Sequence, residues 1–235
     1  MDHNGHPQAA GDATPCRDRF AGWARQYEHD VLSRLLTMLQ LRAAARLRLT
    51  AGDRFLDVGC ATGAAVRDAS ATVRLAVGVD RSAAMVRRAG ELAEALPGTA
   101  FVVADAEQLP FPATTFTAVL STTTLRHVAD PARAVREMAR VLLPGGRIVV
   151  ADFVACGDGG DRRWWNGPRR PERASRWVDP LQVVSTAPVG VNEVTRFATA
   201  FGCYAIVSAA KPEVPGPADD RRWSRRPVTR GRSSR

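Results

Sequence analysis

The stretch "FLDVGCATGAAV", Phe55 to Val66, decides the fold. "FLDV" is strand-like, "GCATG" is a small-residue turn, and the alanines after it can open a helix. Turns of this shape wrap nucleotide-like ligands. The dinucleotide fingerprint G-x-G-x-x-G sets its three glycines against a pyrophosphate. Here those positions are Gly59, Ala61 and Ala64, with Gly63 one place off. A P-loop ends in Gly-Lys-Ser/Thr, which this turn lacks. The turn instead carries an acid, Asp57, with no basic residue beside it. A diphosphate is therefore disfavoured, and a ligand with a positive group is expected.

Two further acids follow. Asp80 closes the apolar run "RLAVGVD", and Asp105 with Ala106 closes "TAFVVAD". A carboxylate at the C-terminal end of the second strand can accept both hydroxyls of a ribose, as the acid about 20 residues on does in dinucleotide folds. The acid after the third strand can meet the exocyclic amine of an adenine. Three acids at three successive strand ends line one crevice, where open α/β sheets bind ligands. The implied ligand has an amine, a ribose and an adenine but no phosphate. S-adenosylmethionine (SAM) fits, and its sulfonium suits an anionic site.

Around this stretch, strands and helices alternate. "DVLSRLLTMLQLRAAARLRL", Asp30 to Leu49, reads as an amphipathic helix ended by "TAGD". "RFLDV", "RLAVGVD", "TAFVVAD", "FTAVLST" and "RIVVADFV" read as strands. They are apolar throughout, as strands buried on both faces should be. Between them, "AAVRDASA", "SAAMVRRAGELAEAL" and "DPARAVREMARVLL" read as helices. Ser82 is the expected N-cap of the second, and Asp130 with Pro131 the expected start of the third. "PGG" at 144–146 is expected to turn the chain into its next strand. After Phe153 the pattern changes to Gly, Pro, Arg and Trp, with "DPLQVVSTA" as a poor helix. "NEVTRFATAF" and "CYAIVSAA" read as a hairpin around Gly202, with a helix over "EVTRFATAF" as the alternative. The expected class is α/β, a mostly parallel sheet with helices on both faces and an antiparallel C-terminal hairpin.

The 235 residues suffice for one α/β domain with tails, and 45% hydrophobic content is ordinary for a globular chain. No apolar run is long enough for a membrane helix, and the polar N-terminus lacks a signal-peptide core, so a cytoplasmic location is expected. The cysteines, Cys16, Cys60, Cys156 and Cys203, show no paired spacing, so no disulfide framework and no metal site is expected. The net charge of +9 is concentrated in "RRWWNGPRRPERASR" at 162–176 and in the tail from Lys211 onward, leaving a near-neutral body. Such segments can touch phosphates or an anionic membrane surface, or remain solvated tails. The tail reads as solvated, and nucleic acid is not the expected partner.

Taken together, "FLDVGCATGAAV", "VGVDRSAAMVRRA" and "VVADAEQLPFPATTFTAVLSTTTLRHVADPARAVREMARVLLPGGRIVV" resemble the class I SAM-dependent methyltransferase family. The resemblance is nearest the branch that includes the ubiquinone and menaquinone biosynthesis methyltransferases, and runs from about Phe20 to Pro212. It implies a Rossmann-like, seven-stranded sheet with its last strand antiparallel. It implies that Asp57, Gly59, Cys60, Ala61 and Gly63 surround the methionine part of the cofactor, that Asp80 holds the ribose, and that Arg81 and Met85 flank the base. Asp105 and Ala106 would contact the adenine, and Thr122 would lie near the sulfonium. "FAGWARQYEHD" resembles the family's entry segment, whose tyrosine closes over the cofactor, and Tyr27 takes that position. It further implies a domain over 19–212, with a substrate-side insertion at 154–190 between disordered tails at 1–18 and 213–235. One position departs: the family most often has "GCGTG", where this chain has Ala61. If the position needs positive φ, alanine is strained by about 1 kcal/mol. If it needs only a small side chain, alanine is harmless, and that is the expectation.

Methyl transfer from a sulfonium is an in-line displacement, to which the protein contributes mainly alignment. A general base helps when the nucleophile is a hydroxyl or an activated carbon. His127, in "LRHVADP", is the best-placed candidate; the alternatives are packing against the following helix or contact with the cofactor's edge. His3, His6 and His29 lie in the tail or entry segment. "STTTLRHV" stands where amide and base N-methyltransferases carry an Asn/Asp-Pro-Pro-Tyr/Phe motif, which argues against that class. Trp164, Trp165 and Trp177 would form an apolar lid over an aromatic or lipid-like acceptor, or pack a surface segment. The expected partner is a small-molecule acceptor, a quinone precursor or another secondary metabolite, methylated on carbon or oxygen. An RNA or macromolecular methyltransferase and a non-catalytic SAM-binding relative are the alternatives.

Overall fold

A computed structural model of the chain describes residues 18, 20–155, 178–199 and 202–213. The elements follow in the order α1 (Val31–Ala44), β1 (Arg54–Val58), α2 (Ala64–Ser70), β2 (Leu75–Asp80), α3 (Ala83–Leu92), β3 (Thr99–Val103), β4 (Phe116–Thr122), α4 (Pro131–Val141), β5 (Leu142–Val154), α5 (Pro180–Val184), β6 (Gly190–Thr199) and β7 (Gly202–Ala210). The seven strands form one sheet in the order β3-β2-β1-β4-β5-β7-β6. Strands β1 to β5 pair in parallel, and β7 runs antiparallel to both β5 and β6. The order reverses at β1, whose neighbours are β2 and β4. That places a topological switch point at the C-terminal end of β1, where "GCATG" begins.

Residues alternate between two cores along β1. Phe55 packs with Leu39, Ala43 and Leu47 of the first helical segment and Val66 of α2. Leu56 and Val58 pack on the other side, with Val135 and Met138 of α4 and Val184 of α5. Asp57 is two residues from Phe55 and so shares the face that looks toward α1. β3, at the sheet edge, is only half-buried, with Val103 exposed.

Local chemistry accounts for the element ends. The Ser82 hydroxyl accepts from Met85 N–H at the start of α3, and the Asp130 carboxylate accepts from Arg133 N–H at the start of α4, with Pro131 in first position. Each such cap stabilises its helix by about 1 kcal/mol. Asp179 caps α5 in the same way. The Lys211 ammonium donates to the carbonyls of Ala139 (2.9 Å) and Leu142 (2.8 Å), neutralising the C-terminal end of α4.

Three expectations are corrected. The first helix is shorter: α1 ends at Ala44, a single 3-10 turn covers Ala45–Leu47, and Arg48 then takes a left-handed conformation. "PGG" is a bulge inside β5 rather than a turn before it. Gly145, at φ +75°, kinks the strand while its N–H donates to Lys211 O, and Lys211 N–H donates to Gly146 O. "EVTRFATAF" is strand, the first arm of the expected hairpin with β7, and not the alternative helix. Cys203 on β7 is disulfide-bonded, which the scattered cysteine spacing did not predict. Among the described residues, no helix is long and apolar enough to cross a membrane, and no group of His, Cys, Asp and Glu is placed to hold a metal ion.

Candidate functional site

A cleft opens at the C-terminal ends of β1, β2 and β4, enclosing about 880 Å³ with its open mouth. Its floor is Gly59 and Ala61 of the turn after β1. Asp80, Arg81 and Met85 line one side, Asp105 and Ala106 a second, and Thr122 and His127 a third. Tyr27, from the irregular segment before α1, joins them. The structure thus gathers ten of the sequence-predicted residues around one space.

The turn is held by backbone geometry. Gly59 N–H and Cys60 N–H both donate to Val79 O, at 2.7 and 3.0 Å, tying the turn to the end of β2. Gly59 has φ +81°, and a Cβ there would overlap the Thr124 side chain. Only glycine satisfies both demands. Ala61 has φ +48°, so the position is left-handed and its alanine is strained. The expectation that a small side chain suffices is therefore corrected. Ala61 N–H donates to Asp80 Oδ2 at 3.0 Å, and Ser82 N–H to Asp80 Oδ1 at 2.9 Å. These bonds fix the Asp80 carboxylate at the cleft wall, and burial raises its pKa above the usual carboxylate value.

Three predicted residues do not line the cleft. Gly63, also at φ +81°, precedes α2 and packs so tightly on Phe101 that a Cβ would overlap the ring. Cys60 is buried, with its thiol pKa pushed up by burial. Asp57 has 0% exposure; its Oδ2 accepts from Gln40 Nε2 at 2.9 Å, while Oδ1 has no hydrogen-bond partner. Burial, with the nearby Asp80 charge, pushes its pKa up to about 8. Asp57 therefore stands behind the cleft wall instead of facing a ligand across it.

His127 ends a 3-10 turn, Leu125–His127, and its ring meets Phe20 edge-on with centroids 5.6 Å apart. His29 is exposed and is not a lining residue. Trp23 and Tyr27 stack edge-to-face at 4.9 Å. The Tyr27 phenol is raised in pKa by burial and by Asp80 and Asp57, so it remains a neutral donor. Trp164, Trp165, Trp177, His3, His6 and both arginine-rich segments lie outside the described residues, apart from Lys211 and its neighbours at the start of the tail.

Several lining residues were not read from the sequence: Phe20, Trp23, Leu36, Gln40, Thr123 and Thr124. Thr123 has φ +55°, an unusual conformation for a β-branched residue, and its hydroxyl lies 3.3 Å from the Tyr204 hydroxyl. The run of three threonines after an apolar strand was the available signal. Behind this wall, Arg126 Nη2 and Nε pair with Asp152 Oδ1 at 2.6 and 2.9 Å, and the guanidinium lies over the Phe153 ring.

The chain is similar to known proteins over part of its length. Residues 56–150 match a methyltransferase-domain family. Over 131 residues the chain is 38% identical to a 27-O-demethylrifamycin SV methyltransferase of Amycolatopsis mediterranei, covering 54% of this chain and 48% of that protein. Over 152 residues it is 37% identical to a demethylmenaquinone methyltransferase of Beutenbergia cavernae, covering 63% and 62%. The chain spans about half the length of the curated relatives it matches. Among solved structures, the [4+2]-cyclase SpnF superposes with a TM-score of 0.63 at 27% identity, over 76% of this chain and 81% of that one. A SAM-dependent methyltransferase from Mesorhizobium loti, at 24% identity and a TM-score of 0.59 over 72% and 96% of the two chains, shares the fold.

Proposed function

We propose that this chain, whose residues 56–150 match a methyltransferase-domain family, is a class I SAM-dependent methyltransferase that binds SAM in the cleft and transfers the methyl group to a small-molecule acceptor. The observation that carries the reading is the set of acids at three successive strand ends around a glycine-bearing turn. Asp80 and Asp105 line the cleft, and Asp57 lies behind it. An adenosine with a cationic amino-acid arm matches that charge pattern. The cradle fits as well: Gly59 and Ala61 bring the turn to the cleft, and the absent side chain at Gly59 makes room for Thr124 in its wall. Asp80, pinned by two backbone amides, would accept the ribose hydroxyls. Met85 and Arg81 would flank the base, Asp105 and Ala106 would meet its edge, and Thr122 would sit near the sulfonium. Cys60 and Gly63 would support the turn from behind. Residues 19–212 would form the transferase domain, with 154–190 on the acceptor side.

When bound, SAM supplies an electrophilic methyl group on a positively charged sulfur. The chain's own work is to fix the two reactants in line, which can supply several kcal/mol of the barrier reduction. Phe20, Trp23 and Leu36 add apolar lining to the cleft, which favours an apolar or aromatic acceptor. His127, which also lines the cleft, would take the proton of an acceptor hydroxyl. Relatives named for demethylmenaquinone and for 27-O-demethylrifamycin SV support a small-molecule acceptor methylated on carbon or oxygen. The RNA alternative draws on the arginine-rich segments, and no described feature favours it.

The likeness to a protein named as a [4+2]-cyclase favours one second reading, cofactor binding without methyl transfer. Calorimetric titration with SAM, combined with transfer of labelled methyl to a panel of quinols and phenols, separates the readings. The proposal expects saturable binding, lost in Asp80→Asn, and a labelled product. In His127→Gln it expects slower turnover with cofactor affinity unchanged. Binding without product across the panel supports the second reading, and absence of binding removes both.

A further inference from the structure

Gln40 belongs to α1, outside the matched residues 56–150, yet it reaches the cleft. Its side chain lines the cleft wall while the residue is only 8% exposed. Leu36, one turn earlier on the same helix face, lines the cleft beside it. Gln40 Nε2 donates to Asp57 Oδ2 at 2.9 Å. The donor end of the amide is thereby committed to the carboxylate, and its carbonyl oxygen is left to serve the cleft. Asp57 itself is sealed, with 0% exposure and an unpartnered Oδ1. A ligand cation in the cleft would therefore meet the Gln40 carbonyl before it met the Asp57 carboxylate.

We propose that Gln40 is the positioning residue for the amino-acid end of the cofactor, its carbonyl accepting a hydrogen bond from the ligand's ammonium while Asp57 holds and polarises the amide from behind. The assignment rests on the reading of the cleft as a SAM site. It moves recognition of the methionine arm partly out of the turn and onto α1. An amide whose N–H₂ donates a hydrogen bond carries more negative charge on its oxygen, which strengthens the bond to a cation.

Two probes test this on the full chain by calorimetry. S-adenosylhomocysteine carries the amino-acid end; 5′-methylthioadenosine has the same adenosine and thioether but lacks that end. Gln40→Met keeps the side-chain length and removes both amide bonds. Loss of a hydrogen bond to a charged group should weaken S-adenosylhomocysteine about tenfold or more. Binding of 5′-methylthioadenosine should change less than twofold. Asp57→Asn, which keeps an oxygen acceptor for Gln40 Nε2, serves as a second variant should Gln40→Met fold poorly. It should weaken S-adenosylhomocysteine severalfold and again spare the shorter probe. Equal weakening of both probes, or no weakening of either, overturns the assignment. If the wild-type chain binds neither probe, the SAM reading falls, and this assignment falls with it; if it binds both and the variants do not discriminate, only the assignment falls.

Discussion

Ala61→Gly isolates the strain that the turn carries. Ala61 has φ +48°, and its N–H donates to Asp80 Oδ2 at 3.0 Å, so the conformation is held by the very bond that positions the Asp80 carboxylate. A left-handed conformation costs an L-residue about 1–2 kcal/mol. Glycine removes that cost but adds roughly 0.5–1 kcal/mol of unfolded-state entropy. The net expectation is a stabilisation of roughly 0.75 kcal/mol, the middle of a range of about 0–1.5 kcal/mol. In a chain of this size that central value raises Tm by about 1.5–3 °C. The control is Ala132→Gly in the first turn of α4, a right-handed helical site where the same chemical change should be destabilising, by up to about 1 kcal/mol. Thermal unfolding of the two variants without ligand, followed by circular dichroism, should give shifts of opposite sign. If Ala61→Gly lowers Tm as Ala132→Gly does, the position is not strained and the argument about the turn is wrong.

Three further outcomes follow from the same geometry. Asp57 binds its proton more tightly when folded than when unfolded, so between about pH 4 and pH 8 its contribution to stability falls as pH rises. Urea unfolding at pH 5, 7 and 9 should show the wild type losing stability relative to Asp57→Asn up to about pH 8, and no such divergence would disprove the raised pKa. Gly59→Ala combines a left-handed cost of about 1–2 kcal/mol with overlap on Thr124, so urea denaturation should show clear destabilisation and calorimetry lost cofactor binding; near-wild-type values for both would refute the cradle. Arg126→Met leaves the Asp152 carboxylate, at 0% exposure, without its partner, at a cost of about 3–5 kcal/mol. Adding Asp152→Leu should restore much of that loss in chemical denaturation, and a double variant as unstable as the single one would contradict it.

The fold was legible because its signals are local. Apolar runs that ended in Asp57, Asp80 and Asp105 marked the strands, and Ser82, Asp130 and Pro131 marked helix starts that the caps reproduce. The cleft was legible where the motif is backbone-bound, as at Gly59, Ala61 and Asp80. The side of the sheet that Asp57 faces was not. β1 is buried on both faces, so alternation of polar and apolar residues, the usual sign of direction, is absent. Only the packing of Phe55 toward α1 shows that Asp57 points to Gln40 and away from the open cleft. Phe20 and Trp23 were hidden because they sit in irregular turns with no period. The "PGG" bulge was hidden because its meaning depends on Lys211, far along the chain and paired with it only in the folded sheet.

The central claim is that this cleft is a SAM site, and calorimetric titration of the intact wild-type chain with SAM addresses it directly. The account predicts saturable binding at one site per chain, abolished in Asp80→Asn. Absence of binding up to on the order of 1 mM, where a complex would be worth only about 4 kcal/mol, would contradict it. Binding that survives Asp80→Asn unchanged would contradict the placement of the ribose at the end of β2.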